Sequence, residues 1–243
     1  MILLRSMLFN LCFYALLIVL MILGVPALIA GRRSVEAYAR FWARLSLMLL
    51  DRICLLRVEF RGLQHLPKGA AIVAAKHQSF LEVLALMLHV RGFTYVYKRE
   101  LGFIPLFGLY LRCSGQIAID RAKRGSALPG VIAAVQQIFA EDRQLLIFPE
   151  GTRRPVGAPP AYKAGVARIA EETSVVCVPV ALNSGLFWRR RGFLRRPGTA
   201  VIEFLAPIGP DLDKESFMRI LETRIEDATR RLLAEAHGDN SVG

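Results

Sequence analysis

The distribution of apolar and polar positions divides the chain into two unequal parts. Met7 to Ala30 runs for 24 residues without a charge, and Asn10 is its only strongly polar member. At a rise of about 1.5 Å per residue, such a segment crosses a hydrocarbon layer of about 30 Å with some tilt. Three readings compete for it. Leu28, in the third position before a cut after Ala30, argues against a cleaved leader, and the length argues against a buried core helix. A membrane helix is the expectation, with Gly24 and Pro26 able to bend it into a segment that enters and leaves one leaflet. Ser34 to Leu56 predicts a second helix, with Val35, Tyr38, Trp42, Leu45 and Leu49 on one apolar face and Arg33, Arg40 and Arg44 mostly opposite. Such a helix suits either the headgroup level of a bilayer or the side of a soluble domain.

After Arg57 the pattern changes to short β-rich runs separated by helical ones. Strands are predicted at Val58–Arg61, Ala71–Ala75, Phe93–Tyr97, Ile117–Ile119, Gln144–Phe148, Val175–Ala181 and Thr199–Leu205. Helices are predicted at Phe80–Val90, Ala127–Glu141, Lys163–Thr173 and Ser216–Ala236. Several strands are apolar throughout, the mark of burial on both faces. Strands alternating with helices predict an α/β domain with a largely parallel sheet flanked by helices. The expected division is a membrane-associated helical segment, 1–56, and the α/β domain, 57–243. Arg154–Pro160 is the only linker-like stretch and is too short to separate domains.

Composition sharpens this picture. The chain has 243 residues, 54% of them hydrophobic, and a formal net charge of +12, with pI ≈ 10.1 and mean hydropathy +0.40. So apolar a chain is not intrinsically disordered. Cys12, Cys54, Cys113 and Cys177 are scattered in apolar contexts, which excludes a disulfide scaffold and a structural zinc site and suits a reducing compartment. Arg32, Arg33, Arg40 and Arg44 follow the apolar segment, whereas only Arg5 and the amino terminus precede it. The bulk of the chain is therefore expected on the cytoplasmic side. The basic run Trp188–Arg196 fits a nucleic-acid patch, a solvated loop or anionic lipid headgroups. The apolar segment in the same chain favours the lipid, and no nucleic-acid partner is expected.

Four stretches carry candidate chemistry. Lys76-His77-Gln78-Ser79-Phe80-Leu81-Glu82 follows an apolar strand and leads into a helix, placing His77 where open α/β sheets hold ligands. Ser79 is the better cap of that helix. On a continuous helix His77 and Glu82 lie about 140° apart and cannot meet. If His77 curls back from the loop, the carboxylate fixes its tautomer and leaves the other nitrogen as a base. The competing reading is a structural loop histidine beside a solvated glutamate.

In Phe148-Pro149-Glu150-Gly151-Thr152-Arg153-Arg154 a strand ends at proline, glycine permits a tight turn, and two arginines offer forked donors matched to phosphate, oriented by Glu150. Gly115–Arg121 and Tyr97–Leu101 deliver Arg121, Lys98 and Arg99 at further strand ends. In a parallel sheet these converge on one edge as an anion-binding mouth containing a base. Nucleotide-loop, nucleophile-elbow and zinc-protease motifs are absent, and His65, His89 and His237 have no partner at a useful spacing.

The blocks His77–Glu82, Gly115–Arg121, Phe148–Arg154 and Val175–Val180 resemble, in that order, the four motifs of the glycerolipid acyltransferase family. The likeness covers about Val58 to Leu205, and the N-terminal helices are similar to that family's membrane-docking pair. Two positions depart from its pattern: Glu82 stands where aspartate is usual, and Ala118 where an aromatic is common. The resemblance implies transfer of a fatty acyl group from acyl-CoA or acyl-ACP to the free hydroxyl of a lysophospholipid, foremost lysophosphatidic acid, giving phosphatidic acid. The residues suit it: His77 as base, Glu82 orienting it, and Lys98, Arg121, Glu150, Gly151, Thr152 and Arg153 around the acceptor phosphate, with Arg153 in direct contact. The thioester is a co-substrate, and no metal or cofactor is implied. A membrane, with the catalytic domain on the cytoplasmic face of a bacterial inner membrane, is the expected location. The alternatives are another acceptor, such as a lyso-aminolipid, or a tethered lipid-binding protein without turnover.

Overall fold

A computed structural model describes residues 1–120 and 128–239. Three N-terminal helices, α1 (Ile2–Leu23), α2 (Val25–Ile29) and α3 (Arg32–Cys54), precede an alternation of β1 (Leu56–Arg61), β2 (Ala71–Ala75), α4 (Leu81–Leu86), β3 (Thr94–Lys98), α5 (Phe107–Cys113) and β4 (Ile117–Ile119). The chain continues through α6 (Leu128–Ala140), β5 (Gln144–Ile147), α7 (Gly165–Thr173), β6 (Cys177–Leu182) and β7 (Gly198–Phe204) to α8 (Lys214–Asp239). The expected α/β architecture is present, and β2 and β4 have the bounds the sequence predicts. The predicted Ala127 start of the third body helix lies outside the described residues.

The strands form one seven-stranded sheet in the order β1-β7-β6-β2-β5-β3-β4. From β6 to β4 every pairing is parallel. β7 joins β6 antiparallel and carries β1 parallel to itself. The reversal follows from the connection: residues 183–197 return without a long crossover helix, and an antiparallel neighbour needs none. Pro179 fits inside β6 because its carbonyl accepts from Leu205 N (2.9 Å) on the β7 side, where the ladder ends, so its missing N–H removes no bond to β2.

Alternation along the central strands feeds two apolar layers. Val73, Ala75, Leu146, Val178 and Val180 pack with α1, α3 and α4, whereas Ile72, Ala74, Leu145 and Cys177 pack with α6, α7 and α8. Every residue of β2 and β6 is buried. The strand that carries His77 is thus held from both faces.

The N-terminal helices belong to this packing. α1 is long and apolar enough to cross a membrane, but Phe9 and Phe13 are buried in the core shared with the sheet. Its polar positions dock the 188–196 loop. Ser6 Oγ accepts from Arg195 N (2.9 Å), Asn10 Oδ1 accepts from the Arg195 guanidinium (2.9 Å), and Asn10 Nδ2 donates to Phe193 O (3.3 Å). The helix in the charge-free run is broken at Gly24, where a Cβ would meet the Tyr38 ring at 2.2 Å and the Tyr110 hydroxyl at 2.6 Å. On α3 the most buried positions are Val35, Glu36, Ala43, Ser46, Leu50 and Cys54. The predicted apolar face is rotated, since small Ala43 and Ser46 permit the closest approach and Tyr38 and Trp42 flank it. Arg40, expected on the polar face, donates to the carbonyls of Met87 and Val90 (3.1 Å each) after α4.

Arg195 also lies over the Trp188 ring (4.0 Å) and donates to the carbonyls of Gly192 and Phe193 (2.8 Å each). Replacing it by Met strands those acceptors and Asn10. Arg195→Met is expected to lower stability by about 1–3 kcal/mol, and exposed Arg196→Met by less than about 0.5 kcal/mol, read from denaturation midpoints in detergent.

Candidate active site

His77 lies in the loop between β2 and α4, outside the helix, as the curled geometry requires. Its Nδ1 is 2.9 Å from Glu82 Oε1, in the first turn of α4. Glu82 is fully buried, and it accepts at both oxygens. Oε1 also takes the backbone N–H groups of Gln78 (2.8 Å) and Ser79 (2.6 Å), and Oε2 takes the Ser184 hydroxyl (2.7 Å). An ionised carboxylate in this cage is an acceptor only, so Nδ1 carries the imidazole proton and Nε2 keeps its lone pair. The extra methylene of Glu82 relative to aspartate is accommodated without loss of contact. Ser79 Oγ accepts from Leu81 N (3.1 Å), but Ser79 is not the expected cap: the N-cap position of α4 is Phe80, which has no side-chain cap bond, and Ser79 stands one residue before it.

The opposite side of His77 is set by the loop after β5. The imidazole stacks on Phe148, with ring centroids 3.9 Å apart and 15° between planes, and Phe148 stacks on Tyr95 (6.2 Å, 14°). Burial, and then the neighbouring Glu82 carboxylate, hold the Tyr95 phenol well above its ordinary range, and it donates to Val83 O (2.7 Å). The backbone of His77 is bound at both ends: its N–H donates to Glu150 Oε2 (3.3 Å), and its carbonyl accepts from Arg154 N (2.8 Å). Gln78 Oε1 accepts from Gly185 N (3.0 Å), tying the same loop to the turn after β6.

The remaining predicted residues divide by exposure. Glu150 is not open to a ligand. Its side chain is fully buried, with Oε1 accepting from Lys76 Nζ (3.1 Å) and Oε2 from His77 N–H, so it supports the site from beneath rather than contacting a substrate. Nor does it chiefly orient arginines, since Arg154 Nε is 3.8 Å away. Gly151 has φ +66°, the left-handed turn its position calls for, and Gly151 N donates to Phe148 O (2.8 Å). Thr152 is exposed at the tip of this turn. Arg153 is half-buried, and its guanidinium has no hydrogen bond or ion pair among the described residues; its carbonyl accepts from Arg190 (2.7 Å). Lys98 is half-exposed at the end of β3 and paired with Glu100 (3.0 Å). Arg121 lies outside the described residues, just past β4. Because β2, β5, β3 and β4 are parallel neighbours, their C-terminal ends lie along one edge of the sheet.

Sequence reasoning missed three groups. Ser184, the fourth donor to Glu82, carries no motif of its own. Lys76 was visible as a charge at the end of an all-apolar strand, but its partners Glu150 and Glu226 are far away in sequence. An apolar cavity of about 170 Å³ opens between the N-terminal helices and the body, walled by Leu20, Tyr38, Trp42, Phe80, Tyr95 and Tyr110 among others. Tyr95 connects it, through Phe148, to the His77 ring.

Residues 57–183, a stretch that contains all four blocks, match the acyltransferase family. A 1-acyl-sn-glycerol-3-phosphate acyltransferase from Pseudomonas aeruginosa is 33% identical over 174 residues, 72% of this chain and 66% of that protein. The enzyme named 1-acyl-sn-glycerol-3-phosphate acyltransferase alpha from Ovis aries is 28% identical over 239 residues, 97% of this chain and 83% of that protein. The crystal structure of the 1-acyl-sn-glycerophosphate (LPA) acyltransferase PlsC from Thermotoga maritima shares the fold, with a TM-score of 0.81 at 24% identity over 96% of this chain and 98% of that one. A His–Glu pair with its carboxylate buried, at the edge of a parallel sheet and inside a family match that covers more than half of the sequence, places this chain in the acyltransferase family.

Proposed function

We propose that this chain transfers a fatty acyl group from acyl-CoA or acyl-ACP to the sn-2 hydroxyl of 1-acyl-sn-glycerol 3-phosphate, giving phosphatidic acid. The observation that carries the reading is the His77–Glu82 pair, with the Arg153 guanidinium, unpaired among the described residues, one strand away and an apolar cavity behind Tyr95. His77 Nε2 takes the proton of the acceptor hydroxyl as its oxygen attacks the thioester carbonyl. The tetrahedral adduct collapses, the C–S bond breaks, and the imidazolium returns the proton to the leaving thiolate. Glu82 stabilises the imidazolium while it exists. Arg153 and Thr152 hold the phosphate, assisted by Lys98 and by the sequence-predicted Arg121, and the cavity takes acyl chain. No metal enters the scheme.

The reaction is placed at an anionic membrane surface. Leu4, Leu11, Ile18, Ile22 and Leu23 of α1 are exposed, as are Phe193 and Leu194 on the loop that α1 holds through Asn10. Because the opposite side of α1 is in the protein core, the helix lies against the body with one apolar side in lipid, rather than standing alone across the bilayer. Arg189, Arg190, Arg191 and Arg196 remain exposed for headgroups, whereas Arg195 and Trp188 of the same run are buried. We place the body on the cytoplasmic face of a bacterial inner membrane.

Three outcomes test this reading. With labelled acyl thioesters and a panel of lysolipids, the chain should acylate 1-acylglycerol 3-phosphate. His77→Ala and Glu82→Gln should each lower kcat on the order of 10²–10⁴-fold, and a wild-type rate in His77→Ala removes the mechanism. Arg153→Ala should raise KM for the phosphate-bearing acceptor by at least about tenfold, the loss of one charge-assisted contact, with KM for the thioester unchanged. In flotation with anionic vesicles, Leu11→Asp combined with Ile18→Asp should shift protein from the bound to the free fraction, and retention of full binding excludes α1 as the lipid contact.

A further inference from the structure

Lys76 is the residue immediately before the catalytic base, and its side chain is only 4% exposed. A buried ammonium is costly unless it is paired and hydrogen-bonded. Here it donates to Glu150 Oε1 (3.1 Å) and to Glu226 Oε1 on α8 (2.5 Å), and it lies over the Tyr162 ring (5.6 Å). Tyr162 donates to the same Glu226 oxygen (2.8 Å). Burial, and then Glu226, keep that phenol strongly protonated, so its proton is available to Glu226. The backbone N–H of Lys76 donates to Val180 O (3.0 Å), which fixes the chain at the point where β2 ends.

The arrangement runs in one direction. Glu226 holds Lys76, Lys76 holds one oxygen of Glu150, and the other oxygen of Glu150 accepts the N–H of His77. Glu82 orients the imidazole ring, whereas Glu150 locates the backbone from which that ring projects. If Glu150 loses Lys76, it is left as a fully buried carboxylate with Arg154 at 3.8 Å as its nearest cation, and it must turn away from His77 to find another.

We propose that Lys76 is a positioning residue for acyl transfer, which couples Glu226 of the C-terminal helix α8 to the backbone of His77 through Glu150. This makes α8 part of the active-site scaffold, although it carries none of the sequence blocks. The proposal rests on the acyl-transfer reading of the same site. A second cavity, of about 210 Å³, lies beside the ammonium, lined by Lys76, Gln78, Pro160, Glu226 and Thr229, with exposed Pro159 and Arg230 also on its wall. The Thr229 hydroxyl has no partner among the described residues. The cavity gives a small soluble cation a route to the position of the lysine head.

The test uses the full chain in detergent, with 1-acylglycerol 3-phosphate and whichever acyl thioester the wild type turns over. Lys76→Ala should lower kcat roughly 10²-fold, the scale expected when a reacting group is displaced by about 1 Å, with KM for the lysolipid nearly unchanged. Ethylammonium or propylammonium should restore much of the lost kcat, and tetramethylammonium at the same ionic strength should not. Glu226→Gln, which keeps the shape of the side chain, should fold normally and lower kcat by up to about tenfold, and Lys76→Arg should retain more activity than Lys76→Ala. A wild-type kcat in Glu226→Gln overturns the proposal whether or not Lys76→Ala folds. So does a folded Lys76→Ala protein that small ammonium ions do not rescue. Absence of acyl transfer by the wild type is a separate result, and it strikes the reading of the site rather than the role of Lys76.

Discussion

A carboxylate removed from water must find donors for both of its oxygens, and in this chain much of the active-site architecture follows from how Glu82 does so. Gln78 and Ser79 give it backbone N–H groups, which obliges the loop after β2 to fold back over the first turn of α4. That same fold brings His77 within 2.9 Å. Ser184 supplies the last donor and locks the turn after β6 against the loop after β2. Four donors from two loops leave the carboxylate little freedom, and an imidazole bonded to it inherits that rigidity. Removing any one donor exposes the remaining charge to an apolar interior, so the set is maintained as a unit.

The chain is both very apolar and strongly basic, and the structure gives each property a place. Much of the apolar excess is on α1, one side in the protein core and the other exposed. The basic run at residues 188–196 is not one surface. Arg195 turns inward to hold α1 through Asn10 and to cover Trp188, whereas Arg189, Arg190, Arg191 and Arg196 face outward. Arg195 thus adds a polar tie to the packing of Phe9 and Phe13 that holds α1 on the body, and its neighbours stay exposed.

What could be read in the sequence was what depends on near neighbours. The buried strand Ala71–Ala75 announces itself as an unbroken apolar run, and the His77–Glu82 contact follows from helix geometry once the loop is allowed to curl. Other features depend on tertiary partners. The reversal at β7 is invisible because strand direction is not encoded in periodicity. Helix α5 was missed: it is a short apolar stretch starting at Phe107-Gly108, where Gly108 approaches the backbone of Gly102 so closely that a Cβ would sit 2.0 Å from its carbonyl oxygen. Glu150 was read as part of the phosphate mouth because its neighbours are polar. Only the fold reveals Lys76 beneath it, and a buried cation draws a carboxylate inward more strongly than the half-buried Arg153 and Arg154 can hold it out.

Strand spacing ranks the cations of the proposed phosphate mouth. Neighbouring strands lie about 4.8 Å apart, and β2, which delivers His77, is followed in order by β5, β3 and β4. The loop carrying Arg153 is therefore about 5 Å from the base, Lys98 about 10 Å and the end of β4 about 14 Å, measured along the edge. In the proposed acceptor the reacting hydroxyl and the phosphate are only a few bonds apart, so the loop of Arg153 is the near one. Lys98 must extend inward, but its exchange of Glu100 is cheap, since an exposed ion pair is worth about 0–1 kcal/mol. Arg153 has no such partner to give up among the described residues. The same parallel order that brings the base and the Arg153 loop together on adjacent strands makes Arg153 the first cation a phosphate beside the reacting hydroxyl would meet, with Lys98 reaching it from one strand farther out.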